Sequence, residues 1–234
     1  MASKHRVLIT GASGLLGRAI FKQFCNSDKW EVLGLAHSRA TGALKKVNLL
    51  DFEETERVVK EFKPHVLIHS AAERRPDIVE NDEETSMKLN VEATKALVST
   101  INELNSGLEI PGHFMLYIST DYVFDGTNPP YKPLDQPNPL NKYGKSKLAG
   151  EQVMKMYPAD GGILRVPILY GNVEYLKESA VTGLFNREIY AWFNSRCYPW
   201  PPSPLALGGG WSTSNFLCRQ SGVSSENIEV GSWF

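Results

Sequence analysis

The chain is poor in the features that mark secreted and membrane proteins. It has only three cysteines among 234 residues, Cys25, Cys197 and Cys218, and their odd number and spacing fit neither a disulfide framework nor a zinc site. No apolar run approaches the roughly 20 residues of a membrane span, and the apolar stretch 7–9 is too short for a signal peptide. The net charge of −1 at pH 7 gives no preference for nucleic acid or an anionic membrane. We therefore expect a soluble, cytoplasmic protein without a metal site.

Lysine and regular hydrophobic periodicity are both missing from the carboxyl-terminal part of the chain. No lysine follows Lys177, whereas four of the five tryptophans lie between Trp192 and Trp233. Prolines cluster at 199–204, and three glycines follow at 208–210. A segment without a helix or strand period cannot be placed in a packed core from its pattern. We expect residues 187–234 to form an atypical, disordered tail.

Strand-like and helix-like stretches alternate through the rest of the chain. The predicted strands are 6–10, 31–35, 46–49, 66–69, 114–119 and 162–166. The predicted helices are 14–26, 52–62, 84–104 and 141–157. Such alternation is typical of βαβ units that feed a mostly parallel sheet. The sequence therefore predicts an α/β fold, a Rossmann-type doubly wound parallel sheet with helices on both faces.

A glycine-rich segment, TGASGLLG at 10–17, joins the first predicted strand to the first predicted helix. It contains Gly11, Gly14, Leu15, Leu16 and Gly17. The first glycine permits a tight turn, the second lets a pyrophosphate approach the amino terminus of the helix, and the third allows close packing of helix on strand. Glycine triplets also occur in structural turns, but this one lies between an apolar strand and an amphipathic helix. We expect these five residues to contact a dinucleotide.

The end of the second predicted strand indicates which dinucleotide is bound. An acid there would accept a hydrogen bond from the ribose 2′-hydroxyl and favour NAD, but the residues present are His37, Ser38 and Arg39. These are donors suited to a 2′-phosphate, and the arginine can make charge-assisted bonds. We therefore predict NADP as the cofactor; the alternative for Arg39 is a solvated loop charge.

A reductase-like pair follows the fifth predicted strand. Tyr143 and Lys147 are four residues apart and share one helix face. An ammonium beside a phenol lowers the pKa of the phenol, so that the tyrosine can exchange a proton with a carbonyl oxygen. Ser119 or Thr120, at the end of the strand, can orient that oxygen. A YxxxK spacing alone is common by chance. The place of Tyr143 and Lys147 after the fifth predicted strand is what favours a catalytic site.

The GxxGxxG and YxxxK spacings together resemble the extended short-chain dehydrogenase/reductases. The segment 119–126 with the Tyr143/Lys147 helix resembles the dTDP-4-dehydrorhamnose reductases in particular, a branch in which Thr120, Tyr143 and Lys147 would be the catalytic set. The resemblance also implies further cofactor contacts. These are Asn48, Leu50, Asp51, Ser70, Ala71, Ala72, Asn90, Ser119 and Arg165, in addition to Tyr143 and Lys147.

Other stretches resemble a non-catalytic branch of the same family, the regulatory beta subunits of methionine adenosyltransferase. They are AAERRPD at 71–77, FDGTNPPY at 124–131, PILYG at 167–171 and ESAVT at 178–182. The resemblance covers about residues 5–186. It implies a protein of one-carbon metabolism that binds NADP(H), forms a hetero-oligomer with the catalytic subunit and modulates S-adenosylmethionine synthesis.

Members of both branches continue beyond the region of resemblance for another hundred or more residues, which form most of a substrate-binding lobe. We therefore expect an NADP-binding Rossmann domain at 1–172, a remnant of the substrate lobe at 173–186, and a largely missing second lobe. The intact Tyr143/Lys147 pair leaves an NADPH-dependent reductase of a nucleotide-linked keto sugar as the alternative function. A chain that folds poorly and does neither is the third possibility.

Overall fold

A computed structural model describes residues 4–73, 82–157 and 160–183. The chain divides into two units, Met1–Arg187 and Glu188–Phe234, and every described residue belongs to the first. The expected tail at 187–234 and the arginine-containing stretch at 74–77 lie outside the described residues. The proposed division into 1–172 and 173–186 stays a prediction.

Six parallel strands form one sheet in the order β3-β2-β1-β4-β5-β6. The strands are β1 His5–Thr10, β2 Trp30–Ala36, β3 Lys45–Lys46, β4 Val66–His69, β5 Phe114–Thr120 and β6 Gly161–Val166. Thr10 at the end of β1 pairs with Leu35 of β2 and His69 of β4, and His69 pairs with Tyr117 of β5. The strand order reverses between β1 and β4, and the carboxyl ends of these strands meet at one edge. The predicted doubly wound Rossmann sheet is confirmed.

Helices cover both faces of the sheet. They are α1 Leu15–Cys25, α2 Phe52–Phe62, α3 Glu83–Met87, α4 Ala93–Asn105, α5 Lys142–Met156 and α6 Ala180–Gly183. A π-helical turn at Lys88–Glu92 joins α3 to α4, so the predicted helix 84–104 exists but is interrupted. Such turns are frequent at functional sites. None of the helices in the described part of the chain is long and apolar enough to cross a membrane.

Alternate residues of β1 pack into two hydrophobic clusters, one on each face of the sheet. Val7 and Ile9 pack with α1 on one face, whereas Leu8 packs with α2, α4 and α5 on the other. This follows from the two-residue period of a strand. All three side chains are fully buried, so the apolar run of β1 is explained by coverage on both faces.

The third strand is shorter than predicted. The pattern predicts 46–49, but only Lys45–Lys46 pairs with β2. Beyond it the backbone turns, because the Asn48 side chain accepts from the Leu50 N–H at 3.2 Å and the Asn48 carbonyl accepts from the Asp51 N–H at 2.9 Å. Local side-chain bonds of this kind compete with a strand ladder.

Helix α2 ends on a strained residue. Lys63, its C-cap, has φ +49° and its N–H donates to the Val59 carbonyl, a left-handed cap usually formed by glycine. Lys63→Gly should raise the free energy of unfolding by about 1 kcal/mol. Lys22→Gly, at an exposed position inside α1, should lower it by about 1 kcal/mol. Urea unfolding measures both, and a loss of stability at both positions would contradict the strain at Lys63.

Candidate dinucleotide-binding site

The glycine-rich turn lies at the carboxyl edge of the sheet, where the strand order reverses. Ligands of open α/β sheets bind in the crevice at such a switch point. Gly11 follows β1 with φ +66°, and a Cβ added there would lie 2.8 Å from the backbone N and Cα of Ala71, in the loop after β4. Only glycine therefore fits at this position, where the two loops touch.

Two further glycines shape the beginning of α1. Gly14 is its N-cap, and its N–H donates to the Gly11 carbonyl at 2.8 Å. A Cβ at Gly17 would overlap the same carbonyl oxygen. Gly14 and Gly17 thus place no side chain beside the first N–H groups of the helix, and a helix amino terminus attracts anions. Leu15 and Leu16 begin the helix and are partly buried. The cradle fits the pyrophosphate of a dinucleotide.

Arg39 is engaged in a network of ion pairs that the sequence pattern did not predict. Its guanidinium donates to Glu174 at 3.1 Å and to Glu178 at 3.2 Å, and it lies 5.6 Å from the centre of the Tyr175 ring. His37 and Ser38 beside it are exposed. These three residues form the rim of the predicted 2′-phosphate site, and their contact with a phosphate stays a prediction.

Arg18 ties the segment after β6 to the glycine-rich turn. It donates to both carboxylate oxygens of Glu178 at 2.7 and 2.9 Å, to the Ser13 carbonyl at 3.0 Å and to the Asn172 carbonyl at 3.1 Å. The bonds from Arg18, with those from the Glu174 N–H and Arg39, outweigh burial and lower the pKa of Glu178 to about 2. A cation in the first turn of a helix opposes the helix dipole, and that mismatch is the sequence signal that could have revealed Arg18.

The residues after β3 serve local structure. The Asp51 carboxylate accepts from the Glu54 N–H at 3.0 Å and caps α2, and Asn48 forms the turn described above. Leu50, which is partly buried, lies in the same turn and donates its N–H to the Asn48 side chain. The predicted contact of these three residues with the cofactor stays a prediction.

A buried polar chain links β1, β4 and α4. Thr10 Oγ1 lies 2.7 Å from His69 Nδ1, and His69 Nε2 lies 3.1 Å from Thr94 Oγ1. Because the Thr94 hydroxyl donates to the Asn90 carbonyl at 2.9 Å, it must accept from Nε2–H, so Nδ1 accepts from Thr10. Burial lowers the pKa of His69 to about 3. The imidazole is therefore neutral and holds the two strand ends together.

Asn90, in the π-helical turn, braces the loop after β4. Its Oδ1 accepts from the Glu73 N–H at 2.9 Å, and its Nδ2 donates to the Glu73 carbonyl at 3.1 Å and to Ser146 Oγ at 2.9 Å. Ser70 Oγ fixes the other end of the loop by donating to the Thr10 carbonyl at 2.6 Å. The predicted lining residues Ala71 and Ala72 lie between these anchors. Their contact with a cofactor, like that of Ser70 and Asn90, stays a prediction.

The predicted catalytic set lies along β5 and the first two turns of α5. The Tyr143 ring packs edge-on against Tyr122, with ring centres 6.1 Å apart. Lys147 is 2% exposed; its Nζ lies 4.0 Å from the centre of the Tyr117 ring, and burial lowers its pKa to about 7. Thr120 Oγ1 donates to Asp121 and accepts from the Tyr122 N–H. Thr120 ends β5, and Tyr143 and Lys147 lie in the first two turns of α5. Their catalytic roles stay a prediction.

Ser119 and Arg165 meet on a buried carboxylate that the sequence reasoning missed. Glu151 of α5 accepts from Ser119 Oγ at 2.6 Å and from Arg165 at 2.9 and 2.7 Å. These bonds join α5 to β5 and β6. A glutamate one turn after Lys147 on a buried helix face was the available signal. The structure uses both residues in packing, and their cofactor contacts stay predictions.

Comparison with known proteins identifies the family. The model of the RmlD substrate binding domain matches residues 5–188. The chain belongs to this family. Within it, the chain is 53% identical over 183 residues to methionine adenosyltransferase 2 subunit beta from Danio rerio, covering 78% of this chain and 54% of that protein. The resemblance to the beta subunits is confirmed.

The reductase branch is also similar to this RmlD family member. A dTDP-4-dehydrorhamnose reductase from Aggregatibacter actinomycetemcomitans is 33% identical over 167 residues, covering 71% of this chain and 52% of that protein. The crystal structure of dTDP-4-dehydrorhamnose reductase from Bacillus anthracis in complex with NADP superposes with a TM-score of 0.65 at 30% identity, covering 75% and 57%. The chain spans about half the length of the curated relatives it matches.

The buried, neutral His69 should make the free energy of unfolding of this RmlD family member depend on pH. The folded chain takes up a proton on His69 only near pH 3, whereas the unfolded chain does so near 6.5. As pH falls from 6.5 toward 3, acid therefore favours unfolding by up to about 1.4 kcal/mol per pH unit. Urea unfolding between pH 7 and 4.5 measures the slope. It should be shallower in His69→Asn, and an equal slope in that variant would contradict the account; His37→Asn, at an exposed histidine, is the matched control.

Proposed function

We propose that this chain is the nucleotide-binding part of a regulatory subunit of methionine adenosyltransferase. In this proposal it binds NADP(H), associates with the catalytic subunit and modulates S-adenosylmethionine synthesis without catalysing it. The observation that carries the proposal is the identity of 53% to a methionine adenosyltransferase 2 subunit beta, against 33% to a dTDP-4-dehydrorhamnose reductase. The two comparisons cover similar shares of this chain, 78% and 71%, so the difference in identity favours the regulatory branch.

The geometry of the glycine-rich turn supports binding of a nicotinamide dinucleotide. A Cβ at Gly11 or Gly17 would collide with backbone atoms, and their absence leaves the cradle in which a pyrophosphate would meet the N–H groups of α1. Arg39 would hold the 2′-phosphate, which favours NADP(H) over NAD(H). A related reductase of the same fold was solved in complex with NADP.

Association with the catalytic subunit tests the proposal directly. The full chain is mixed with a methionine adenosyltransferase catalytic subunit at micromolar concentration, with and without NADP⁺, and followed by sedimentation velocity. The expected result is a larger species and a changed rate of S-adenosylmethionine formation. A chain that is folded and binds NADP⁺, yet neither associates nor changes that rate, would rule out the regulatory function.

One observation favours a second candidate, an NADPH-dependent reductase of a keto sugar. Lys147 is buried, has a pKa of about 7, and lies one helical turn after Tyr143. In this second proposal the ammonium form of Lys147 would lower the pKa of the Tyr143 phenol, which would donate its proton to a carbonyl oxygen oriented by the Thr120 hydroxyl. NADPH would supply the hydride when bound.

Turnover separates the two candidates. NADPH oxidation is measured with dTDP-4-dehydrorhamnose as the substrate, for the full chain and for Tyr143→Phe. The reductase hypothesis predicts oxidation that the variant abolishes while its affinity for NADPH is retained. Binding of NADPH without turnover in the unmodified chain would refute the reductase and leave the regulator.

A further inference from the structure

Arg39, which is proposed to hold the 2′-phosphate, already has two carboxylate partners. Arg39 lies 3.1 Å from Glu174 and 3.2 Å from Glu178, although both acids are more than 130 residues away in the chain. Arg18 completes the cluster, at 2.7 Å from Glu178 and 3.3 Å from Glu174. Two guanidinium groups therefore face two carboxylates, and their charges cancel.

The two acids differ in how firmly they are held. Glu178 is 1% exposed, and both of its oxygens accept from Arg18, while one also accepts from the Glu174 N–H at 2.8 Å. It belongs to the structure of the segment after β6. The Glu174 side chain is 53% exposed and can turn into solvent without leaving a buried charge unpaired. Glu174 is thus the partner that Arg39 can give up.

A 2′-phosphate at Arg39 would meet this acid directly. The phosphate carries a charge of about −1.5 to −2 at neutral pH, so with both carboxylates in place it would approach a cluster of no net charge. Without Glu174 the same cluster has a net charge of +1, which attracts the phosphate. NAD(H) has no 2′-phosphate, so the charge of Glu174 should not affect its affinity.

We propose that Glu174 is a specificity-determining residue that competes with the 2′-phosphate of NADP(H) for Arg39. The inference rests on the proposed cofactor function and deepens it. Glu174 leaves Arg39 when NADP(H) binds, and its carboxylate reduces the preference for NADP(H) over NAD(H) below that which Arg39 alone would give. The segment after β6 thereby sets the selectivity of a site built at the end of β2.

Calorimetric titration of the full chain with NADP⁺ and NAD⁺ tests the competition. Glu174→Gln should bind NADP⁺ about two- to fivefold more tightly, the range expected for release of an exposed ion pair, and NAD⁺ with unchanged affinity. Glu31→Gln removes an exposed carboxylate of β2 at the opposite edge of the sheet and should change neither affinity. In an Arg39→Met background, the gain in NADP⁺ affinity from Glu174→Gln should be smaller than in the unmodified chain, because Glu174 then has no Arg39 to compete for.

The outcomes separate this inference from the cofactor proposal. If the unmodified chain binds NADP⁺ but Glu174→Gln binds it equally or more weakly, Glu174 does not compete, and the cofactor proposal stands without it. An equal gain for NADP⁺ and NAD⁺ would also overturn the inference, because the effect would not involve the 2′-phosphate. If the unmodified chain binds neither nucleotide, the cofactor proposal itself fails and the inference fails with it.

Discussion

Arg165→Met is expected to destabilise the folded chain by about 3–5 kcal/mol, the range found when one partner of a buried ion pair is removed. Glu151 is fully buried, and Arg165 supplies two of the hydrogen bonds to its carboxylate. Without the guanidinium, the Ser119 hydroxyl is left as its donor. Urea unfolding at pH 7 measures the loss.

The double variant Glu151→Gln/Arg165→Met is the matched control. It removes both charges and keeps an acceptor for Ser119, so it should recover most of the lost stability. A double variant as unstable as Arg165→Met would show that packing of the arginine on Phe124, and not an uncompensated charge, dominates.

The pH dependence of the single variant follows from the same carboxyl group. Burial acts to raise the pKa of Glu151, but the bonds from Arg165 and Ser119 outweigh it, so the pKa lies below its usual value. In the unmodified chain this stabilisation is present above pH 4.3 or so and is lost in acid. In Arg165→Met burial dominates and raises the pKa of Glu151. Lower pH should therefore reduce the difference in unfolding free energy between the variant and the unmodified chain.

Gly17→Ala is expected to abolish nucleotide binding and to lower the stability of the fold by about 1–3 kcal/mol or more, as overpacking does. The added Cβ would overlap the Gly11 carbonyl oxygen, so α1 must move away from the turn. Gly14→Ala is the comparison, because its Cβ would lie 3.3 Å from the same oxygen. It should keep the fold and weaken NADP⁺ binding about tenfold, equivalent to 1.4 kcal/mol. Thermal unfolding and calorimetry measure both effects, and NADP⁺ binding by Gly17→Ala at unmodified affinity would contradict this role of the turn.

Local patterns were sufficient to predict most of the sheet and its helices. Apolar runs flanked by glycine or proline, such as Val66–His69 after Pro64, mark strands that are covered on both faces, and their positions match the structure. The glycine-rich turn was predictable from its spacing and its place between a strand and a helix. Gly14 and Gly17 are required by the nearby Gly11 backbone, whereas Gly11 is required by the backbone of Ala71 in the loop after β4. The third strand was overestimated because the side-chain bond of Asn48 was not recognised.

Contacts between distant parts of the chain were not predictable from the pattern. The pattern predicts Arg39 just after β2, but its partners Glu174 and Glu178 are brought there by the path of the chain after β6. The Ser119 hydroxyl similarly depends on where α5 places Glu151. The interruption of helix 84–104 by a π turn at Asn90 has no signature in hydrophobic spacing, because it accompanies bonds from Asn90 to the distant Glu73 backbone and Ser146.

The most direct test of the account is a pair of calorimetric titrations of the full chain, one with NADP⁺ and one with NAD⁺, under identical conditions. We expect one site in which NADP⁺ binds more tightly than NAD⁺, because the glycine-rich turn accepts the pyrophosphate and Arg39 binds the 2′-phosphate. Binding of neither nucleotide by the folded chain, or tighter binding of NAD⁺, would contradict it.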